Sequence, residues 1–262
     1  MEIRNQNVII TGAASGLGLE LTKQMLAEGA NVAAVDINAD NLNKLTAELN
    51  TDKLKTYVVD MGNVDSIIKF REDYKRDYSD VDIIINNAGI IQPFIKAGEL
   101  DDATINKVMN VNFFGPVNLI KVFYNDLIKD RKEQYIVKVA SMGGFFPFPG
   151  QTIYGASKAA LKIFTEGLYA ELKNTNVKAM IVLPGAMDTN ITQNSNVKLK
   201  TDGDSANFKM LSAEKAAFEI IKGMEKDKFK IFLGSDAKFL KFMYKINSKW
   251  AINFINKKMN IN

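Results

Sequence analysis

The chain has 262 residues, 47% of them hydrophobic and 24% charged, with 34 Lys and Arg against 30 Asp and Glu for a net charge of +4. That is ordinary globular composition, long enough to bury one large core as a single domain over 1–262. Cysteine and histidine are both absent, which excludes disulfides, thiolate nucleophiles, cysteine-ligated metals, serine–histidine triads and most zinc sites.

Short apolar runs alternate with amphipathic stretches along the sequence. Val8-Ile9-Ile10 reads as a first strand, 17–28 as a helix and Val32-Ala33-Ala34-Val35 as a second strand. A helix over 40–49 leads to a strand at Thr56-Tyr57-Val58-Val59, and a helix over 64–77 leads to a fourth strand, Val81 to Ile85. The pattern then predicts one long helix over 103–129, a strand at Tyr135–Val139, a helix over 153–173 and a strand at Lys178–Val182. A helix over 213–225 and a seventh strand, Lys230-Ile231-Phe232-Leu233, follow. Strands alternating with helices imply a doubly wound α/β fold, a mainly seven-stranded parallel sheet with helices on both faces. The strands are continuously apolar, as strands covered on both sides are.

The segment 186–211 is rich in Asn, Thr, Ser and Lys and is expected to be a substrate loop, because structureless segments of this length in compact domains are commonly functional. The N-terminus has no signal-peptide layout, and no run of eighteen apolar residues marks a membrane span. A cytoplasmic location is expected, with peripheral membrane contact as a variant. Charge is unevenly placed: from Lys222 onward ten Lys and three acids give +7, so residues 1–221 carry 4 − 7 = −3.

Two constellations carry chemistry. In the first, Gly12, Gly16 and Gly18 lie between the first strand and the first helix. Glycine permits a tight turn, and the free N–H groups and positive end of the helix suit a pyrophosphate. The spacing G-x-x-x-G-x-G is not the G-x-G-x-x-G of the standard dinucleotide fingerprint. Asp36 ends the second strand, 36 − 18 = 18 residues past the last glycine. An acid placed about 20 residues on accepts hydrogen bonds from ribose hydroxyls and repels a 2′-phosphate, which favours NAD over NADP. The alternative for Asp36 is a helix cap. Asp60, ending the third strand, either contacts the adenine or caps the next helix, and Asn86-Asn87-Ala88-Gly89 is either a ligand-binding strand end or a turn.

In the second constellation, Lys158 follows Tyr154 by four residues on one helix face, and Ser141 ends the strand before that helix. Tyrosine titrates near 10, so it is a poor base at neutral pH. A neighbouring ammonium and the positive ring of an oxidised nicotinamide favour its phenolate and bring it into range for acid–base catalysis. The Ser141 hydroxyl is suited to hold a substrate oxygen.

Taken together and in this order, these motifs resemble the short-chain dehydrogenase/reductase family over roughly residues 5–190. Thr11-Gly12-x-x-x-Gly16-x-Gly18 is similar to its cofactor turn, Asn86-Asn87-Ala88-Gly89 to its fourth-strand motif, and Asn112 to its catalytic Asn. Ser141, Tyr154 and Lys158 are similar to its remaining catalytic residues, and Pro184-Gly185 with Thr189 to its nicotinamide-carboxamide segment. The resemblance implies a Rossmann-type fold and a cofactor held by Gly12, Ser15, Gly16, Leu17, Gly18, Asp36, Asp60, Met61, Asn87, Ala88, Gly89, Tyr154, Lys158, Pro184, Gly185 and Thr189. It implies that Tyr154 moves the proton and Ser141 polarises the substrate oxygen. Lys158 would hold the nicotinamide ribose and depress the Tyr154 pKa, and Asn112 would anchor a water between Lys158 and solvent. No metal is expected.

The chain departs from small members of that family after Leu233-Gly234. A further 262 − 234 = 28 residues follow, a basic amphipathic tail over 235–262. Phe239, Met243, Ile246, Trp250 and Phe254 recur there at helical spacing, with Lys238, Lys241, Lys245 and Lys249 between them. The readings are a helix packed on the domain, a pocket cover or dimer contact, or a helix lying on anionic lipid. The segment Gly143 to Pro149 lies between Ser141 and Tyr154. Its aromatics predict an apolar substrate pocket lined by Ser141, Gly143, Phe148, Tyr154 and Met187.

The leading expectation is an NAD(H)-dependent oxidoreductase acting on a small-molecule secondary alcohol or ketone, lipophilic rather than sugar-like, as a homodimer or homotetramer. The alternatives are an NADPH-dependent ketone reductase and a non-catalytic NAD(H)-binding regulator. Nucleic-acid binding is not expected, since basic residues concentrate only in the tail.

Overall fold

The computed structural model describes residues 2–129, 132–188 and 210–259. Thr189 and most of the expected substrate loop lie outside the described residues. Seven parallel strands form the sheet: β1 (Asn7–Thr11), β2 (Asn31–Asp36), β3 (Leu54–Val58), β4 (Ile83–Asn86), β5 (Gln134–Val139), β6 (Val177–Pro184) and β9 (Lys230–Leu233). Their order is β3-β2-β1-β4-β5-β6-β9. A two-stranded parallel ribbon, β7 (Met187–Asp188) with β8 (Leu211–Ser212), lies apart.

Every residue of β4 and β5 is buried, which is why Ile83–Ile85 and Tyr135–Val137 read as apolar runs. Alternate β1 residues divide between two clusters. Val8 and Ile10 pack with Leu17, Leu21 and Met25 of α1 (Gly16–Ala27), Leu42 and Leu45 of α2 (Ala39–Leu49), and Ile220 and Met224 of α7 (Ala213–Glu225). Ile9 packs on the other face with Phe70 of α3 (Val64–Asp77), Phe123 of α5 (Gly115–Lys129) and Leu168 of α6 (Thr152–Glu171). Full burial of each such side chain contributes about 1.5–3 kcal/mol.

The expected single helix over 103–129 is two helices. α4 (Asp102–Met109) and α5 flank a π-helical turn, Asn110–Phe114. The inserted residue rotates the chain and buries Asn112 completely, and such bulges concentrate at functional sites. The helix resumes at Gly115, where a Cβ would stand 2.2 Å from the Met61 carbonyl oxygen.

The tail also divides. Asn247, with extended backbone, separates α8 (Ser235–Ile246) from α9 (Ser248–Met259), and its side chain caps α9 by accepting from the Trp250 N–H at 2.9 Å. Of the expected stripe, Met243 is buried and Phe254 packs against the same cluster, while Phe239, Ile246 and Trp250 are exposed; Leu240, Ala251 and Ile255 complete the buried set. These helices pack on the domain over Phe146, whose ring is fully buried. The first turn of α8 is fixed by Asp236, a buried carboxylate that accepts the Ala186 N–H at 2.6 Å. A Cβ on Gly185 would stand 2.0 Å from that carboxylate.

A lysine interrupts the apolar residues of β5. Lys138 on β5 is fully buried, and its Nζ donates to the Pro116 carbonyl at 2.8 Å and lies 5.8 Å from the Phe164 ring centre. Burial pushes its pKa well below the usual lysine value. The unfolded chain therefore binds a proton that the folded chain releases in the window between that lowered pKa and about 10.4, so stability rises with pH across it. Replacing Lys138 by Met removes the cost of burying an ammonium, while the Pro116 carbonyl keeps its helical acceptor role. Lys138→Met is expected to stabilise the fold on the order of 1–3 kcal/mol, more at pH 6 than at pH 9. Denaturant unfolding at the two pH values checks this; destabilisation at both would refute the reading.

Candidate active site

All of the strand ends named from the sequence lie at the carboxyl edge of the sheet. Strand order reverses between β1 and β4, so the helices that follow these two strands leave on opposite faces and a crevice opens between them. Thr11, at the end of β1, closes the floor of that crevice. Its Oγ1 accepts the N–H groups of both Asn87 and Ala88 at 3.0 Å. The Asn87 side chain answers by donating to the carbonyls of Thr11 at 3.0 Å and Gly12 at 3.3 Å. The two motifs thus form one unit.

The glycine turn has the geometry its residues allow. Gly12 and Gly16 have φ of +65° and +50°, in the left-handed region. Gly18 is required for close approach: a Cβ there would stand 1.8 Å from the Gly12 carbonyl oxygen. Ser15 is the N-cap residue of α1, and Leu17 is buried in its first turn. The Asp36 carboxylate stands over this turn, accepting from the Ala14 N–H and the Asn38 N–H, each at 3.0 Å. Asp36 is not the cap of α2; Asn38 is, through the Asn41 N–H. Asp60 likewise does not cap α3, a role taken by Asn63, and instead accepts the Gly62 N–H at 2.7 Å. Met61 is buried beside it. A tight turn, a helix N-terminus and an acid poised over them match the donor and acceptor set of a dinucleotide.

The catalytic candidates gather on the other side of the crevice. Ser141 and Tyr154 are close neighbours, and Gly143 sits against both: a Cβ there would stand 3.3 Å from the Tyr154 ring and 3.5 Å from Ser141 Oγ. Lys158 is buried, with Nζ 3.2 Å from the Val139 carbonyl and 5.9 Å from the Tyr154 ring centre. Gly89 lies between Lys158 and Asn112, where a Cβ would approach Nζ to 3.0 Å and Asn112 Oδ1 to 3.3 Å. The Asn112 amide brackets Ile90, accepting its N–H and donating to its carbonyl at 2.9 Å each. It also donates to Ser157 Oγ at 3.0 Å. Pro184 ends β6, and the Gly185 N–H donates to the Leu233 carbonyl at 2.9 Å.

The electrostatics differ from the expected picture. Burial lowers the Lys158 pKa to about 8. Burial also raises the Tyr154 pKa, opposed only by the hydrogen bond from Ser141. In the chain without a nucleotide, burial is the larger of these two effects on the phenol. Two of the expected pocket residues also have apolar partners. Phe148 packs against the buried Phe146 at 5.2 Å between ring centres, within the tail cluster, and Met187 packs against the core on the α1 and α7 face.

Sequence reasoning missed two positioning residues. Gln92 is fully buried, and its Oε1 accepts the N–H groups of Ile153 at 2.8 Å and Tyr154 at 3.0 Å, the free donors at the start of α6. Its Nε2 donates to the Gly150 carbonyl at 3.0 Å, and its own carbonyl accepts from Gln151 Nε2 at 2.8 Å. Ser157 donates to the Tyr154 carbonyl at 2.7 Å and links it to Asn112. The signal for Gln92 was a polar residue in an otherwise apolar Ile90-Ile91-Gln92-Pro93 stretch, which no spacing rule singles out.

A family profile described as short chain dehydrogenase matches residues 6–200. The 1-deoxy-11-beta-hydroxypentalenate dehydrogenase of Streptomyces exfoliatus is 28% identical over 241 residues, covering 91% of this chain and 86% of its own. The dehydrogenase/reductase SDR family member 7B of Mus musculus is 33% identical over 202 residues, covering 74% of this chain, which spans 61% of that longer relative. Among solved structures, a Burkholderia phymatum short chain dehydrogenase/reductase in complex with NAD superposes with a TM-score of 0.82 at 20% identity, covering 100% of this chain and 97% of its own. A Burkholderia cenocepacia short chain dehydrogenase in complex with NADP gives 0.80 at 25% identity, covering 97% and 99%.

Gln92→Ala leaves two buried N–H groups unanswered at the helix that carries Tyr154. It is expected to lower kcat roughly ten- to a hundredfold, the loss that about 1–3 kcal/mol of unpaired donor implies, with KM for the cofactor little changed. Steady-state kinetics with Gln92→Glu as the conservative rescue test this, and a purely structural role would leave kcat of the folded variant intact.

Proposed function

The chain belongs to the short-chain dehydrogenase/reductase family of oxidoreductases, and from that premise we propose that it interconverts a secondary alcohol and a ketone with NAD(H). The observation that carries this reading is the grouping of Ser141, Tyr154 and Lys158 at one place: Gly143 lies against both Ser141 and Tyr154, and Lys158 lies beside the Tyr154 ring and the Gly89 backbone.

A bound nicotinamide supplies hydride exchange and, when oxidised, a positive ring. The residues of the chain do the rest. Ser141 Oγ accepts the Gly143 N–H at 3.1 Å, which leaves its own proton for the substrate oxygen or for Tyr154. Tyr154 exchanges the proton of the reacting hydroxyl or carbonyl oxygen. Its phenol is raised by burial in the chain alone, so its working acidity rests on positive charge brought by the cofactor in addition to the Lys158 ammonium. Lys158, with its pKa near 8, is still predominantly protonated at neutral pH and provides a proton donor for ribose hydroxyls. Asn112 fixes Ile90 and so the strand end on which Gly89 presents its Cα to the crevice.

NAD is preferred because Asp36 places a carboxylate over the turn and Ile37, the next residue, is apolar. A 2′-phosphate there would meet a like charge. The alcohol reading is supported by the Streptomyces relative, which is named for a hydroxylated substrate. A lipophilic substrate is supported by the Phe145 to Phe148 segment that leads from Ser141 to α6.

Tyr154→Phe is expected to lower turnover at least a hundredfold while NADH binding, followed by nucleotide fluorescence, stays within a few-fold of wild type. Retained turnover would defeat the assignment. Asp36→Ala is expected to shift the ratio of NADH to NADPH affinity toward NADPH by about tenfold or more, as loss of a charge-assisted hydrogen bond implies. An unchanged ratio in the same titration removes Asp36 from the ribose site.

A further inference from the structure

The side of the molecule beyond β9 carries a surface that the proposed reaction does not use. β9 is the edge strand of the sheet. A groove of about 850 Å³ runs along it between α7 and α8, floored by Ile231, Phe232 and Leu233. Lys226, Lys228, Lys238, Lys241 and Lys245 line it, and none of the five is ion-paired among the described residues. The neighbouring Lys222 and Lys230 are paired, with Glu225 and Glu166. Glu219 is the one acid in the lining.

The sequence of α8 explains how this surface arises. At 3.6 residues per turn, Ala237, Leu240, Met243 and Tyr244 form one stripe, which packs inward. Lys238, Lys241 and Lys245 form a second, and Phe239, Phe242 and Ile246 a third. The second and third stripes together make the outer face. Phe242 is 64% exposed and Ile246 67%, and Phe218 of α7 on the groove is 54% exposed. Lys241 Nζ lies 4.0 Å from the Phe232 ring centre, with its stem along the apolar floor and its charge at the rim.

We infer that this face docks on an anionic lipid bilayer, with the lysines at the headgroups and Phe218, Phe242 and Ile246 at the acyl boundary. Cations beside exposed aromatic and aliphatic side chains match both layers of such a surface. The unpaired lysines argue against a second copy as the occupant, because self-apposition would bring five uncompensated ammonium groups from each copy together. No helix among the described residues is long and apolar enough to cross a membrane, so the contact is peripheral. The inference does not depend on the catalytic reading, and its test does not use turnover.

The full chain is co-sedimented with vesicles of phosphatidylcholine alone and of phosphatidylcholine with 30% phosphatidylglycerol. Binding is expected only to the anionic vesicles, and it weakens as salt shortens the Debye length. At about fivefold per lysine, the triple variant Lys238→Glu/Lys241→Glu/Lys245→Glu is expected to lose roughly a hundredfold or more in partitioning. A control of equal charge change on other exposed helices, Lys44→Glu/Lys107→Glu/Lys121→Glu, retains at least a tenth of wild-type partitioning. Phe242→Ser, which leaves the charge intact, weakens binding several-fold and guards against misfolding of the triple variant. The inference is overturned by absence of binding to the anionic vesicles, by equal binding to both vesicle types, or by equal loss in the two triple variants. It is also overturned if, without lipid, light scattering finds a dimer that the groove variant dissociates, or if only an acidic protein, and no vesicle, is retained by the face.

Discussion

Two N–H groups converging on one hydroxyl, those of Asn87 and Ala88 on Thr11, hold the rest of the arrangement in place. They sit where β1 and β4 lie side by side and the chain departs in opposite directions. A parallel sheet gives those strand ends no partners of their own beyond the ladder, and buried polar groups left alone are costly. Threonine satisfies both donors from one oxygen, and the Asn87 amide returns bonds to the Thr11 and Gly12 carbonyls. The glycine turn and the catalytic half are thereby held at a fixed separation by a handful of short bonds, not by the distant packing of helices.

From that junction the order propagates outward through amides. Gly89 lets Lys158 and Asn112 approach the backbone, Asn112 fixes Ile90, and two residues later Gln92 caps the helix that presents Tyr154. Ser157 closes the circuit between Asn112 and Tyr154. These groups are buried polar atoms whose partners are mostly satisfied, the condition under which such networks rigidify a site instead of weakening it. The phenol is positioned by this framework. Its burial raises the pKa, and the neighbouring Ser141 works against that rise.

Much of this was legible in the residues themselves. The strand ends at Thr11, Asp36, Asn86 and Ser141 are visible because buried parallel strands are continuously apolar and stop at polar residues. Gly12 and Gly16 are visible because a positive φ favours glycine, and Gly18 because no Cβ fits a 1.8 Å approach. The π turn at Asn110–Phe114 is not visible, since apolar spacing continues across it and one inserted residue shifts the phase without breaking the pattern. Gln92 is hidden because its work is done through a carbonyl-like side-chain oxygen on backbone groups some 60 residues away. The division of the tail at Asn247 escaped for a related reason: asparagine is compatible with a helix interior, and what ends the helix is the cap it makes with Trp250. Within the Phe-rich segment after Ser141, Phe146 seats the tail, a contact that no local spacing announces.

The carboxylate of Asp236 gives the tail a mechanical meaning. It bonds to the backbone one residue past Gly185, so the first turn of α8 is pinned to the chain leaving β6. The lysine-bearing face lies farther along the same helix. About three helical turns separate that face from the Asp236 anchor. Seating the tail and holding the exit of β6 are thus one task shared by the same side chain, a buried acid with a backbone partner.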